Sequence, residues 1–484
     1  MSAISREVDP RTVPTRTRLS FGVGASAETM SLYSLSVLGM IFYNQVQGLN
    51  VLLAGLVPTI ALLTDAFSDP FLGSLSDRFR GRKWGRRHPF MFVAPVPIAI
   101  SFFCVFSPPE GLSEGGLFAW FLGWSISLRT FMTVYHVPHL ALGGELARAY
   151  TERSKIMSYN NFFAWLGGAG VFKLNTILFF SAAGLAGNGL LNGEAYPPFA
   201  VAISLAIAVV LFTSAWFTRD RIATLPQPPD DLPGFSLRNF ASDLAGAFTN
   251  RNYLMLMIAY FALSMMLGVR TAFTSYMNIF YWEFPAQDIG TLVFAGSLVG
   301  YATGFLFSAR LHHEFDKRAV IVATAVGLSF FPAMPVILRL ADFFPANGSP
   351  WLLWGVVGFG ILSAACGSIL NISVMSALAD IADENEIRLG HRQEGVLYAA
   401  RTFFAKLDNS IGHGLASVSL WIIAFPDNAV PGQVEGSTIW WLGMIDSPIT
   451  IIPGVVAALF YAQYRINRST YEETQRQLAE RSGG

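Results

Sequence analysis

The chain has 484 residues, of which 53% are hydrophobic and only 13% charged, about half the charged share of an ordinary soluble protein. Lys+Arg and Asp+Glu both number 32, so the mean charge is zero. With a mean hydropathy of +0.46, this excludes a disordered chain, a nucleic-acid binder and most soluble enzymes, and leaves a polytopic helical membrane protein.

The first residues are polar and basic, without the short apolar core and cleavage site of a removable signal peptide, so the first apolar segment is expected to stay as an anchor. Apolar stretches long enough to cross a hydrocarbon core, about 20 residues each, then recur. They are Ser20 to Tyr43, Val51 to Leu75, Phe90 to Ser107, Leu117 to Ala141, Met157 to Ala182 and Phe199 to Trp216. The series continues with Tyr253 to Tyr281, Ile289 to Ala309, Ala319 to Leu340, Leu352 to Leu378, Val396 to Phe425 and Thr438 to Tyr464, which makes twelve. Only helices satisfy the backbone in such segments, because a barrel would show short alternating strands.

Of the 32 basic residues, 26 fall on the termini and the even-numbered connections, among them Arg6, Arg11, Arg80, Arg82, Lys83, Arg148, Arg238 and Arg392. The positive-inside rule then predicts that both termini are cytoplasmic. A Pro-rich connection divides the spans six and six. The expected layout is a first six-helix half over 1–218, a linker over 219–252, a second half over 253–464 and a short charged helical tail over 465–484. Secondary transporters commonly have two such halves. No Walker-type phosphate loop is present, which argues against an ATP-driven pump. Cys104 and Cys366, far apart in apolar segments, read as buried small hydrophobes.

Charged side chains inside spans are functional candidates, because a carboxylate at mid-membrane costs roughly 2.5–3.5 kcal/mol on insertion scales. Asp65 and Asp69 stand four apart in the second span, on one helix face. Like charges so placed repel unless a proton or cation neutralises them, so the pair reads as a monovalent cation site. The plainer alternative is that Asp69 sits near the cytoplasmic end and pairs with a basic residue. Lys406 in the eleventh span needs a counter-charge, with Asp65 or Asp69 as the candidates and Asp408 as a local one. Asn409 and His413 extend its polar stripe. His136 shares a face of the fourth span with Thr133 and Leu140, and reads equally as a proton relay or a packing residue; His139 is the weaker candidate. Arg129, Lys173, Arg270 and Arg401 are also intramembrane, and some are expected to pair with Glu28 or Glu145. His312 and His313 read as a solvated loop rather than a metal site.

The run Asp65-Ala66-Phe67-Ser68-Asp69-Pro70, followed by Gly81-Arg82-Lys83-Trp84-Gly85-Arg86-Arg87-His88-Pro89, resembles the signature of the glycoside–pentoside–hexuronide:cation symporters of the major facilitator superfamily. The Gly-Arg-Arg-His-Pro-Phe stretch is also similar to the proton-coupled sucrose transporters. Further matches are Ser20 to Gly24, Val137-Pro138 and Ala379 to Asp383. The resemblance implies an all-α major facilitator fold and makes Asp65, Asp69 and Thr133 the cation site, with Lys406 and His136 as coupling residues. It sets the substrate site at Glu28, Thr29, His136, Leu140, Asn161, Lys406 and Asn409. Several of these depart from a familiar member of the family. Thr29 and His136 stand where that protein has aspartates, Leu140 where it has a tryptophan and Asn161 where it has an arginine. The lost fourth-span carboxylate favours protons over sodium.

The expected activity is cation-coupled symport of a small solute, a glycoside or sugar, across the plasma membrane (the inner membrane of a bacterium). A lysolipid, steroid or terpenoid is the alternative cargo, and a sensor or membrane enzyme is the third reading. No catalytic residues and no cofactor beyond co-transported H+ or Na+ are expected; the partners are the substrate and the lipid bilayer, with no nucleic acid, and the chain is expected to be a monomer.

Overall fold

The computed structural model describes residues 13–79, 81, 84–147, 150–181, 188–225, 245–389 and 394–482. Arg6, Arg11, Arg80, Arg82, Lys83, Arg148, Arg238, Arg392 and the Pro-rich connection beyond Leu225 lie outside the described residues.

Helices form where the apolar runs predict them, and among the described residues there is no strand. In chain order, α1 is Thr15–Ile41, α2 Val51–Arg78, α3 His88–Val93, α4 Pro95–Val105, α5 Glu114–Leu146, α6 Tyr150–Trp165, α7 Val171–Leu178 and α8 Tyr196–Thr218. Then come α9 Arg251–Tyr276, α10 Ala286–Glu314, α11 Lys317–Phe330, α12 Met334–Leu340, α13 Pro350–Leu389, α14 Glu394–Ile422, α15 Gly436–Met444, α16 Ile451–Tyr461 and α17 Arg468–Ser482. Local chemistry sets their starts. Prolines open α3, α4, α8 and α12, where a missing N–H costs nothing. Ser113 caps α5 by accepting from the Gly116 N–H, and Asn250 caps α9 by accepting from Asn252 and Tyr253.

Among the described residues, eight helical spans are long and apolar enough to cross a membrane, or nine if α11 and α12, bent by 48°, count as one. The other three expected spans are helical too, as α1, α6–α7 and α14. Their hydropathy is diluted by Glu28, Asn160, Asn161, Lys406, Asp408 and Asn409, the polar residues that make them interesting. On α4 and α8 the exposed side chains include Val96, Ile100, Phe103, Leu205, Val209 and Phe212, apolar stripes at helical spacing. A surface this apolar suits lipid, not water.

The chain divides into two compact units, with one boundary between Phe235 and Ser236, inside the expected linker, and others within the first six spans. One unit holds Met1–Gly39, Phe67–Asn175 and Gly193–Phe235; the other holds Met40–Ala66, Thr176–Asn192 and Ser236–Gly484. The end of α1, the start of α2 and the segment before α8 thus belong with the second half. Hydrogen bonds show why. Asn44 donates to the Asp427 carboxylate at 2.6 Å and accepts from the Tyr276 hydroxyl at 2.8 Å. Gln45 accepts from the Ala429 N–H, Asn188 donates to the Phe284 carbonyl, and Ser410 donates to the Thr59 carbonyl.

In the first unit, the basic turn before α3 is a charge latch. Arg87, only 4% exposed, reaches Glu145 at 2.8 Å, Asp77 at 2.6 Å and the Ser76 hydroxyl at 2.7 Å, while Arg86 reaches Glu145 at 2.5 Å. The turn needs its glycines. Gly85 has φ +64°, and a Cβ on Gly81 would come within 2.2 Å of the Gly85 carbonyl oxygen. A second cluster binds the chain's start to α6, where Glu152 accepts from Lys155 at 2.8 Å, the Val13 N–H at 3.2 Å and Arg18 at 2.6 Å. These donors, Lys155 first, hold the Glu152 carboxyl down to about 2. The folded value lies below the ordinary one of about 4.3, so the stabilisation is present above that ordinary value and is lost as pH falls through about 2. Glu152→Gln is therefore expected to lower thermal stability at neutral pH and to flatten its decline on acidification. Parallel melting curves for the two proteins from pH 7 down to pH 3 would contradict this.

In the second unit, α10 packs on α13 through small residues, with Gly300 against Ala364 and Gly304 against Ser368, the close-approach packing of membrane helices. Lys317 pairs with Asp380, which also accepts from Tyr464, and Gln475 of α17 donates to Asp383. His312 departs from expectation. It lies in the last turn of α10, not in a loop, and its ring bonds Ser373 and the Ser308 carbonyl. The free cysteines are half-buried rather than buried.

Candidate functional site

α2 carries Asp65, in the second unit, and Asp69, in the first, one turn apart. Asp65, 4% exposed, faces Lys406 of α14 with Nζ 4.0 Å from Oδ2. At that distance the two charges attract each other without a direct hydrogen bond between these atoms. Of the candidates for Lys406, Asp65 is the partner and Asp408 is not, because a residue two positions along a helix points to a different face. α2 and α14 are registered beside this pair by the exchange between Ser410 and Thr59.

In the first unit, Thr133 of α5 donates to Asp69 Oδ1 at 3.0 Å. The Asp69 carboxylate thus has a hydroxyl oxygen beside it, a hard oxygen pair suited to a proton or a small monovalent cation. One turn along α5, His136 Nδ1 lies 2.6 Å from Glu28 Oε2 of α1, and both side chains remain partly open, at 32% and 23% exposure. Glu28 is thereby paired with the His136 ring, while Glu145 takes Arg86 and Arg87. His139 is a packing residue. Its ring stacks on Phe21 at 4.2 Å and bonds the Phe21 carbonyl.

The remaining expected substrate residues do not join a polar cluster. The Thr29 hydroxyl turns back onto the Ala25 and Ser26 carbonyls, and the Asn409 amide onto the Ala405 carbonyl. Leu140 and Asn161 are exposed. One intramembrane pair was missed from the sequence. Arg270 of α9 interacts electrostatically with Asp446, in the π-helical turn Ile445–Ile449, and donates to the Ser329 carbonyl. An acid in the twelfth apolar stretch was the available signal. Arg401 donates to Asn371 and lies over the Tyr260 ring. Among the described residues no group of three or more His, Cys, Asp or Glu could hold a metal ion.

The family described as "MFS/sugar transport protein" matches residues 20–468. The chain is 23% identical to the "Putative glycoside/cation symporter YagG" of Escherichia coli (strain K12), over 95% of this chain and 94% of that one. It is 23% identical to the "Isoprimeverose transporter" of Lactiplantibacillus pentosus, covering 84% and 80%. Its fold is similar to that of a bacterial homolog of the human lysosomal transporter Spinster, with a TM-score of 0.66 at 13% identity over 96% of this chain and 99% of that one. The chain belongs to the MFS/sugar transport family, in its glycoside–pentoside–hexuronide symporter type, and is a multi-pass transporter of the plasma membrane.

Proposed function

We propose that the protein is a proton-driven symporter for a glycoside or related sugar, working by alternating access through twelve spans with both termini cytoplasmic. What carries the reading is the arrangement along α2, with Thr133 bonded to Asp69 and Lys406 held loosely to Asp65. Asp69 takes the cation with the Thr133 oxygen. Positive charge arriving there, one helical turn from Asp65, weakens the hold of Asp65 on Lys406 and frees the lysine for the next step. The Glu28–His136 pair supplies partly open donors and acceptors of the kind that sugar hydroxyls require. The absence of a second carboxylate beside Asp69 on α5 supports protons over sodium, since a bare sodium ion asks for more oxygen ligands than a proton does.

The test is uptake into proteoliposomes by the purified full chain, across a panel of glycosides and lysolipids. An inward proton gradient should drive glycoside accumulation, a protonophore should stop it, and replacing sodium should change nothing. Accumulation driven by a sodium gradient alone would overturn the proton reading. Transport of lysolipids but of no glycoside would overturn the cargo.

A further inference from the structure

Asp408 is a membrane carboxyl that the coupling pair leaves unused. It is 0% exposed on α14, and neither of its oxygens has a hydrogen-bond partner among the described residues. It stands four residues after Phe404, whose ring meets Phe248 just before α9 at 5.7 Å. It stands four residues before Gly412, at which a Cβ would come within 2.7 Å of the Gly268 Cα of α9. The i, i+4 spacing therefore puts Asp408 on the stripe of α14 that packs against α9, next to a crossing closed backbone to backbone.

Most of the charged and titratable groups of the elements around this stripe are engaged elsewhere. On α9, Arg270 donates to the Ser329 carbonyl, Tyr253 donates to the Leu397 carbonyl, and the Tyr260 ring lies under Arg401. Arg401 also bonds Asn371 of α13, and on α2 Asp65 faces Lys406. On α14 itself, Lys406 points off another face and His413 is buried five residues on. An ionised carboxylate sealed without a partner or a counter-charge is far costlier than a neutral acid in the same place, so such a group takes up a proton.

We propose that Asp408 is a second proton-binding site, which holds a proton while α9 and α14 are packed and exchanges it with water when they shift during the transport cycle. The Gly268–Gly412 crossing provides the plane for that shift, because no side chains interlock there. The second unit then carries a proton of its own, apart from the one taken by Asp69. This deepens the proton-symport reading and rests on it for the exchange step, though not for the protonation itself.

Infrared spectroscopy of the full chain in lipid nanodiscs tests the protonation without any transport. At neutral pH a carbonyl stretch of a protonated carboxyl, shifted in heavy water, should be present. It should vanish in Asp408→Asn, persist in Asp65→Asn and Asp69→Asn, and move in Asp408→Glu. A spectrum unchanged by Asp408→Asn overturns the proposal. In proteoliposomes, Asp408→Asn should transport with a lower proton-to-solute ratio and a flattened pH profile, both restored by Asp408→Glu. A wild-type ratio and profile in Asp408→Asn would also overturn it, since the proton would then be a fixed part of the core. Should Asp408→Asn fail to fold, the band shift in Asp408→Glu still decides the protonation. Failure of the proton-symport reading looks different: wild-type uptake would ignore the proton gradient while the infrared band remained.

Discussion

Asp69→Asn is expected to abolish uphill accumulation while leaving the protein folded and able to exchange substrate downhill. Asparagine keeps the shape of the side chain and can still accept from the Thr133 hydroxyl 3.0 Å away, so packing of α2 against α5 should survive. What it removes is the charge that attracts a cation and that binding neutralises. The substitution therefore separates binding of cargo from coupling to the gradient, the two quantities a symporter must link. Thr133→Val is the graded companion. It strips one hydrogen bond of about 1 kcal/mol and leaves the charge, so it should shift the apparent cation affinity about fivefold and preserve accumulation. The measurement is initial uptake and steady-state accumulation in proteoliposomes under an imposed gradient, with counterflow as the downhill control. Normal accumulation by Asp69→Asn would remove that carboxylate from the coupling scheme altogether.

The membrane character and the helix positions were legible because lipid imposes one rule on the backbone, and runs of about 20 apolar residues record it directly. Lys406 was legible for a related reason: a charge in such a run demands a counter-charge, and Asp65 was among the few on offer. What stayed hidden were matters of side-chain direction. Thr29 and Asn409 have the chemistry of substrate ligands, yet a hydroxyl or amide in an apolar helix satisfies itself on a carbonyl three or four residues back, and both do. The unit boundary inside α2 was equally unreadable, because it depends on bonds such as Asn44 to Asp427, which join residues 383 apart in sequence. Asp408 illustrates the limit most sharply. Its proximity to Lys406 along the chain suggested a pair, while the helix turns the two onto different faces.

Lys406→Ala should be the most damaging single change in the second unit, because it leaves Asp65 buried without the charge that faces it. Removing one partner of a buried ion pair typically costs about 3–5 kcal/mol, much more than the pair itself contributes. The variant is therefore expected to melt at lower temperature and to accumulate no substrate, and those two losses have different origins. The double variant Asp65→Asn/Lys406→Ala separates them. With both charges gone, no carboxylate is stranded, so stability should return most of the way to wild type, a non-additive recovery that identifies the two residues as one energetic unit. Accumulation should not return, since no lysine is left for the cation to release. Recovery of both would make the pair a packing device with no part in coupling, and recovery of neither would mean that Lys406 and Asp65 do not depend on each other.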